Sequence, residues 1–441
     1  MLNLFEHFDQ ATHDLWQSQR QAGLQIPTVV IHDDGFLPAG IDSFVRFFGH
    51  FDTNRPSLYF DKVPVPPYWR ITGDLNDGAV YHLSQQRAKI VYWHPGNQQR
   101  TVKEVQWLGT SGEIIWIDHY NQFGYRFAQT IYDHNQATLR QYFDADGHKF
   151  MVEHLLLGNL VLNYQHQKYF FNDKVDLIRF FLRLRGYHLD HIFYNTLNES
   201  YRVEQATAGN GQDTLFWHEP VNADLPGNMK YLMYHPTRSK HIVFQRYQDW
   251  QNWQGRLTSD QVDFHYLGMI SPNKRQNQGR AKALIATNSD QLEQIVPLVR
   301  ALPQVHFNIM ALTAMSSRLM ALQDYHNVNL YPNVTNAQAH RLWRTADFYL
   351  DINYGDEILS ADREAFEQNM LILGFNSTLH NPQLADPDNV FPKEEVNSLV
   401  NRLCLALVDS SRFKRLIKAQ REYAGVASVA DYREMFKRLT I

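Results

Sequence analysis

From residue 283 onward, short apolar runs alternate with amphipathic stretches without a break, and this alternation restricts the fold more than any other feature of the sequence. Ala283–Ala286, His306–Leu312, Val328–Tyr331, Phe348–Ile352 and Leu371–Phe375 read as strands. Asp290–Leu302, Ser316–Tyr325, Ala337–Thr345 and Arg363–Asn369 read as the helices between them, and the chain is expected to be helical from Pro392 onward. Strands separated by whole helices cannot pair as hairpins. They need crossover connections, which are right-handed and build a parallel sheet. Such a sheet gathers its ligands at the carboxyl ends of its strands.

The rest of the chain has two other textures. Residues 1–23 read as a helix, with Leu4, Phe8, Ala11, Leu15 and Ala22 near one face and Gly23 as the stop. A short buried strand over 26–31 follows and ends in Asp33-Asp34-Gly35. Between 57 and 172 there are 21 aromatic residues, and β-type runs alternate with turn clusters such as His94-Pro95-Gly96-Asn97, Gly109-Thr110-Ser111-Gly112 and Asp144-Ala145-Asp146-Gly147. This pattern predicts an antiparallel meander of roughly six to nine strands. Helical periodicity returns at Asp176–Leu182, closed by Gly186, and short strands are expected near 191–195, 213–217 and 241–244. The simplest division makes 1–56 and 173–258 one α/β domain, 57–172 an antiparallel sheet inserted into it, and 259–441 a second α/β domain.

Composition removes several functions. Lys plus Arg number 42 against 46 Asp plus Glu, for a net charge of −4, whereas a nucleic-acid binder needs a basic excess. No apolar run approaches the ~18 residues of a membrane span, and Met1–His7 has neither the basic region nor the apolar core of a signal peptide. Cys404 is the single cysteine, which excludes an internal disulfide and a cysteine-rich zinc site. The 21 histidines include His188 and His191 and several between His134 and His154 but no His-Glu-x-x-His, so no metal site is expected. Gly209-Asn210-Gly211-Gln212 lacks the following Lys-Ser/Thr of a phosphate cradle. A cytoplasmic protein is expected.

The order of residues in 328–376 resembles the donor half of retaining GT-B glycosyltransferases. A strand, the helix Ala337–Thr345, the Ala346-Asp347 strand start and a Glu-x7-Glu-like region precede the apolar strand Leu371–Phe375. The match covers about 283–380. Across nearly the whole length the chain resembles the non-catalytic GtfB-type subunit of the glycosyltransferase pair that serves accessory Sec secretion of serine-rich-repeat adhesins. The stretches that carry this resemblance are Leu24–Val30, Asp34–Pro38, His119–Gly124, Leu215–Pro220, Pro226–Met229 and Thr287–Glu293. It implies an α/β fold, a GT-B-like pair of Rossmann domains with an inserted antiparallel β-sheet domain. It also implies a stabilising, chaperone-like subunit that partners a catalytic N-acetylglucosaminyltransferase, binds the serine-rich-repeat acceptor and associates peripherally with the inner face of the cell membrane.

A sugar-nucleotide donor site makes demands that the residues can be tested against. Its diphosphate needs cations or helix-start amides. In the retaining family two basic residues follow the first donor strand, and that place holds Thr287, Asn288, Ser289 and Asp290. Lys274 and Arg275 are the alternative source of charge, reaching in from a neighbouring loop. A glycine turn should follow the next strand, but Thr313-Ala314-Met315-Ser316 contains none. Of the carboxylate pair, Glu364 matches the second member and Asp356 stands one methylene short at the first, with Glu357-Ile358-Leu359 where Gly-Phe-Gly is expected. Glu364 reads equally as a helix N-terminal acid favoured by the macrodipole. A degenerate donor site with no catalytic residue and no cofactor is therefore expected. The alternative is a catalytically active retaining GT-B glycosyltransferase, and a second rival is a carbohydrate-binding module. Trp93, Trp107 and Trp116 in the meander are candidate partner or peptide contacts, against the reading that they pack one sheet face on the α/β domain.

Overall fold

The computed structural model describes residues 1–95, 99–221, 224–235 and 238–440. The described residues form three sheets, and the chain divides into two compact units. The first unit comprises residues 1–243, 258–265 and 434–441, and the second comprises 244–257 and 266–433.

A seven-stranded sheet runs in the order Asp263–Tyr266, Ser239–Phe244, Asp213–Trp217, Ile192–Tyr194, Leu2–Phe5, Thr28–Val30 and Ile41–Asp42. Its fifth strand, Leu2–Phe5, corrects the expectation of a helix from residue 1. Leu2–Phe5 pairs in parallel with both Ile192–Tyr194 and Thr28–Val30, and the helix is confined to Gln10–Gln21. The physical reason is burial on both faces. All four strand residues are fully buried, so the segment shows no period-two signal. Asn3 keeps its amide satisfied by donating to Gln19 Oε1 at 2.6 Å and Thr28 Oγ1 at 3.1 Å. The helix starts where the Asp9 carboxylate accepts from the Thr12 amide at 2.8 Å, an N-cap in register with the strand's end.

Residues 70–171 form a ten-stranded antiparallel meander in which each strand pairs with its neighbours in sequence. The count exceeds the six to nine expected because Arg70–Gly73, Asp77–His82 and Arg126–Asp133 are strands as well. Arg70–Gly73 is largely exposed and shows no alternation. It is held by an Asx turn, in which Asp74 Oδ1 accepts from the amides of Asn76 and Asp77. At the other turn, Gly147 takes φ +82° and its amide donates to the Asp144 carbonyl at 3.0 Å. The Gly109–Gly112 cluster is likewise a turn, with the Gly112 amide donating to the Gly109 carbonyl at 3.3 Å, and the remaining cluster includes Gly96 and Asn97, which lie outside the described residues. The helix Phe44–Gly49 packs Phe44 against Tyr142 and Phe48 against Phe150, so the meander and the seven-stranded sheet share aromatic packing.

The second unit contains a six-stranded sheet in the order Val328–Tyr331, His306–Met310, Lys282–Ala286, Phe348–Asp351, Leu371–Phe375 and Val390–Phe391. Every neighbouring pair is parallel, as the alternation requires. Ile285, Ile309, Leu350 and Leu373 face one apolar layer with Leu403 and Ile417, while Leu284, Met310, Tyr349 and Ile372 face another with Leu342 and Phe366. The helix expected from Asp290 is shorter, Ile295–Ala301. Pro297 explains this. Its ring would clash with a helical carbonyl four residues earlier, so the helix can only begin just ahead of it. The helix expected over Ser316–Tyr325 is a four-residue turn, Ser317–Met320, followed by a 3-10 turn. Beyond Val390–Phe391 the chain is helical at Val396–Val408, Ser410–Tyr423 and Val429–Leu439. Among the described residues, no helix is long and apolar enough to cross a membrane.

Candidate functional site

In the six-stranded sheet, Lys282–Ala286 and Phe348–Asp351 lie side by side, while the strands that follow each of them lie on opposite sides. The gap between their carboxyl ends is the topological switch point, where a parallel sheet receives its ligands. Here the two outgoing loops are laced together. Thr287 is fully buried, and its hydroxyl lies 2.7 Å from Asn353 Oδ1 and 2.7 Å from the Ser289 carbonyl. Asn353 in turn donates from Nδ2 to the Gly355 carbonyl at 3.0 Å. Glu293 donates its amide to the Ile352 carbonyl at 2.8 Å, and Tyr354 donates its amide to the Gln291 carbonyl at 3.1 Å. Asn288 closes over Gly355 so tightly that a Cβ there would lie 1.9 Å from Asn288 Oδ1. Asp290 sits 3.5 Å from the Ser316 hydroxyl, which itself caps Ser317–Met320. Sequence reasoning singled out Thr287, Asn288 and Asp290 but missed Asn353, the residue that binds the two loops.

The basic residues upstream are engaged elsewhere. Lys274 Nζ lies 2.6 Å from Glu364 and 2.9 Å from Glu367. Arg275 and Arg280 both pair with Asp347, which is fully buried and also accepts from the amides of Gln278 and Arg280. Burial pushes the Asp347 carboxyl up, and the hydrogen bonds from Arg280 and Arg275 outweigh it, leaving the pKa below its ordinary value. Glu364 is half-buried with its pKa likewise lowered, burial opposing and Lys274 and Gln368 favouring the charged form. Asp356 is exposed and stands apart from this pair.

Behind the switch point lies a group of two buried acids and a half-buried histidine with no spacing signal in the sequence. His380 Nδ1 is 2.6 Å from Asp351 Oδ1, and Nε2 is 2.7 Å from the Gly355 carbonyl. A carbonyl can only accept, so Nε2 carries a proton, and Nδ1 and Asp351 share a second. Burial pushes the His380 pKa down, but the Gly355 carbonyl and Asp351 reverse this and leave it raised. Asp362 is buried, without a charged partner of opposite sign in hydrogen-bond contact among the described residues. Burial first, then repulsion from Asp351 and Glu357, push its pKa up to about 8, and the Asn381 amide offsets this only weakly. The group is neutralised by protons held in place.

The first unit has a different arrangement at its strand ends. A crevice of about 250 Å³ lies beyond Leu2–Phe5 and Thr28–Val30, lined by His32, Asp34, Lys103, Glu104, His119 and Arg140 among others. Its polar side chains come in pairs: His32 with Glu199 at 2.7 Å, Lys103 with Asp34 at 3.2 Å, and His119 with Glu104 at 3.3 Å. Arg140 Nε and His119 Nε2 converge on the Thr130 hydroxyl, at 2.9 and 2.8 Å. Of the candidate tryptophans, Trp107 and Trp116 are cross-strand partners with ring centroids 5.8 Å apart, and Trp107 Nε1 donates to Asp118 at 2.7 Å. Trp93 is elsewhere, stacked on Phe36 at 4.2 Å with Lys103 over its ring. The structure thus brings two of the three tryptophans together and places the third beside the crevice residue Lys103.

Models of known protein domains match the chain in order: the GtfB N-terminal domain over 2–48, the GtfB middle domain over 69–172, the GtfB third domain over 174–255 and the GftB/GlyA-F C-terminal domain over 283–420. The UDP-N-acetylglucosamine–peptide N-acetylglucosaminyltransferase stabilizing protein GtfB of Limosilactobacillus reuteri subsp. suis is 47% identical over 440 residues, covering 100% of this chain and 99% of that protein. Its Streptococcus gordonii namesake is 37% identical, with coverage of 100% and 99%. A chain in a crystal structure of a GtfA/B complex bound to UDP and GlcNAc superposes with TM-score 0.93 at 37% identity, covering 99% of each chain. Staphylococcus aureus TarM shares only the fold, with TM-score 0.54 at 9% identity over 100% of this chain and 99% of that one. With identity at this level along its full length, the chain belongs to the GtfB family of peptide N-acetylglucosaminyltransferase stabilizing proteins.

Proposed function

We propose that this chain stabilises a catalytic UDP-GlcNAc:peptide N-acetylglucosaminyltransferase and transfers no sugar itself. The observation that carries this reading is the laced switch point: Thr287 and Asn353 bridge the place where a diphosphate would enter. The alternative of an active retaining enzyme needs free cations there, and Lys274, Arg275 and Arg280 are held by Glu364, Glu367 and Asp347. The names of its full-length relatives support the same role. Thr287, Asn288, Asp290, Asp356 and Glu364 are then remnants of a donor site.

The partner is a GtfA-type catalytic subunit, as in the solved GtfA/B complex. The acceptor is a serine-rich-repeat protein, and its serine-rich segment lies in the polar crevice of the first unit, where paired charges and convergent donors suit hydroxyl-rich peptide better than an apolar ligand. Trp93, Trp107 and Trp116 add contact surface on the meander. We assign the inserted sheet to 57–172, the flanking α/β domain to 1–56 and 173–258, and the degenerate donor half to 259–441. Service to accessory Sec secretion and peripheral membrane association complete the proposal.

Two measurements test it. The purified chain, incubated with UDP-GlcNAc and a serine-rich peptide, is expected to give no turnover, and robust turnover abolished by Glu364→Ala would overturn the reading. Mixed with a catalytic homologue, it is expected to co-elute on size exclusion. His119→Ala or Lys103→Ala should weaken peptide binding in fluorescence anisotropy while leaving co-elution intact.

A further inference from the structure

The last strand of the seven-stranded sheet, Asp263–Tyr266, lies beside Ser239–Phe244 at the sheet edge. Asp263 and His265 are two residues apart and therefore share a face. His241 from the neighbouring strand brings Nδ1 to 3.2 Å from His265 Nε2 and 3.9 Å from Asp263 Oδ2. The three ligand atoms all lie within 4.8 Å of one another. Two nitrogens held at 2.0–2.1 Å from one tetrahedral ion are separated by roughly 3.3 Å, so the two imidazoles already stand at the bite of a metal. We propose that His241, Asp263 and His265 bind a zinc-type transition-metal ion.

Three other His and carboxylate groups occur among the described residues, and each is already engaged. In the group of Glu6, His7 and His32, His32 is paired with Glu199 at 2.7 Å. In the group of Asp351, Asp362 and His380, both His380 nitrogens face oxygens. In the group of Asp144, Asp146 and His148, the Asp144 carboxylate accepts from the Asp146 and His148 amides. At His241 and His265, two ring nitrogens converge on each other with a carboxylate alongside. Burial, the largest influence on both, lowers the pKa of each ring, which favours the neutral imidazole that metals require. Lys240 and His191 near His241, and Arg438 near His265, act in the same direction on the rings while opposing a cation's charge. Two imidazoles and one carboxylate suit zinc, cobalt or nickel rather than magnesium or calcium, and they leave a position for water. Without an ion, the same contact is a single hydrogen bond between one ring N–H and one lone pair. Both strands carry the chain out of the first unit, at 243/244 and 265/266, so a bound ion would tie them together at that exit.

The test uses the full chain, freed of tags and treated with chelator, and titrated with zinc against a chromophoric competitor. One saturable equivalent is expected, with a zinc-dependent rise in thermal midpoint and tetrahedral d–d absorption when cobalt replaces zinc. His265→Ala should weaken binding by more than the roughly 10–100-fold that loss of an outer-shell partner costs. Asp263→Asn, at an exposed position, should weaken it without disturbing the fold. His7→Ala should change nothing. Binding that survives His265→Ala, that moves with His7→Ala, or that never saturates at micromolar zinc would overturn the site.

Discussion

The two parallel sheets differ at the same structural position. Beyond Leu2–Phe5 and Thr28–Val30 the first sheet opens into a charged crevice whose ion pairs are partly wet, with Lys103 31% and Asp34 43% exposed. Beyond Lys282–Ala286 and Phe348–Asp351 the second sheet ends in stitched loops, while at the opposite, amino ends of these strands Arg275 and Arg280 serve a fully buried Asp347. Backbone layers of one kind therefore carry either a site or a scaffold. What differs is whether the paired polar groups stay partly exposed, as Lys103 and Asp34 do, or are buried in the fold, as Asp347 is. In the second unit, charge has become structural.

The largest test of this contrast is energetic. Asp347→Ala would leave Arg275 and the nearby amides without their acceptor, and removing one partner of a buried pair costs about 3–5 kcal/mol. Lys103→Ala in the crevice should cost less than about 1 kcal/mol, because exposed pairs are screened. Urea unfolding of the full chain compares the two directly. Equal losses would mean that the crevice charges are as structural as those around Asp347.

The second test is the pH dependence of stability, resolved by a single substitution in the second unit. Asp362 holds a proton in the native state up to about pH 8, whereas an unfolded carboxyl releases it near 4. Between those values the native state binds more protons, so stability falls as pH rises, by at most about 1.4 kcal/mol per pH unit. His380, with its pKa raised, acts in the same direction: its contribution is present below the unfolded value and is lost as pH climbs through the folded one. Glu204 in the first unit, raised to about 7 by burial and then by Asp213, adds a slope of the same sign. Asp362→Asn should therefore flatten the pH dependence between 5 and 8 without abolishing it. An unchanged profile would mean that Asp362 ionises in the fold.

The same contrast shows what sequence can reveal. Alternating periodicity located five strands of the six-stranded sheet, because each is an apolar run set between amphipathic stretches, and missed the two-residue Val390–Phe391, which is too short to show a pattern. Leu2–Phe5 escaped, since a strand buried on both faces is as uniformly apolar as a helix end. Arg70–Gly73 escaped for the opposite reason, being too exposed to alternate. At the switch point, Thr287 to Asp290 were legible through their departure from a known pattern. Asn353 was not, because it acts by touching a residue 66 positions away. Asp351 and His380, 29 positions apart, and His241 and His265, 24 apart, were hidden in the same way. Tertiary contacts of single polar residues leave no period in the sequence.

The smallest expected effect concerns what the second unit has retained. Leu359 stands where the donor-half resemblance expects a glycine, and it takes φ +56°, followed by Ser360 at +48°. The loop thus takes at Leu359 a conformation that a glycine would adopt without strain. A left-handed conformation costs a residue with a Cβ roughly 1–2 kcal/mol, whereas glycine in the unfolded chain costs about 0.4–1 kcal/mol in extra entropy. Leu359 is 39% exposed, so trimming its side chain removes limited buried surface. Leu359→Gly should therefore raise stability by about 0.5–1 kcal/mol, read as a higher urea midpoint at unchanged slope. In the first unit Gly35 has φ +91°, and a Cβ there would lie 2.9 Å from the Asn121 backbone, so Gly35→Ala should destabilise. Opposite signs at these two positions are what the open backbone at Leu359 and the crowded backbone at Gly35 require. If Leu359→Gly destabilises instead, the leucine side chain holds the loop, and the second unit's strand ends were rebuilt around it.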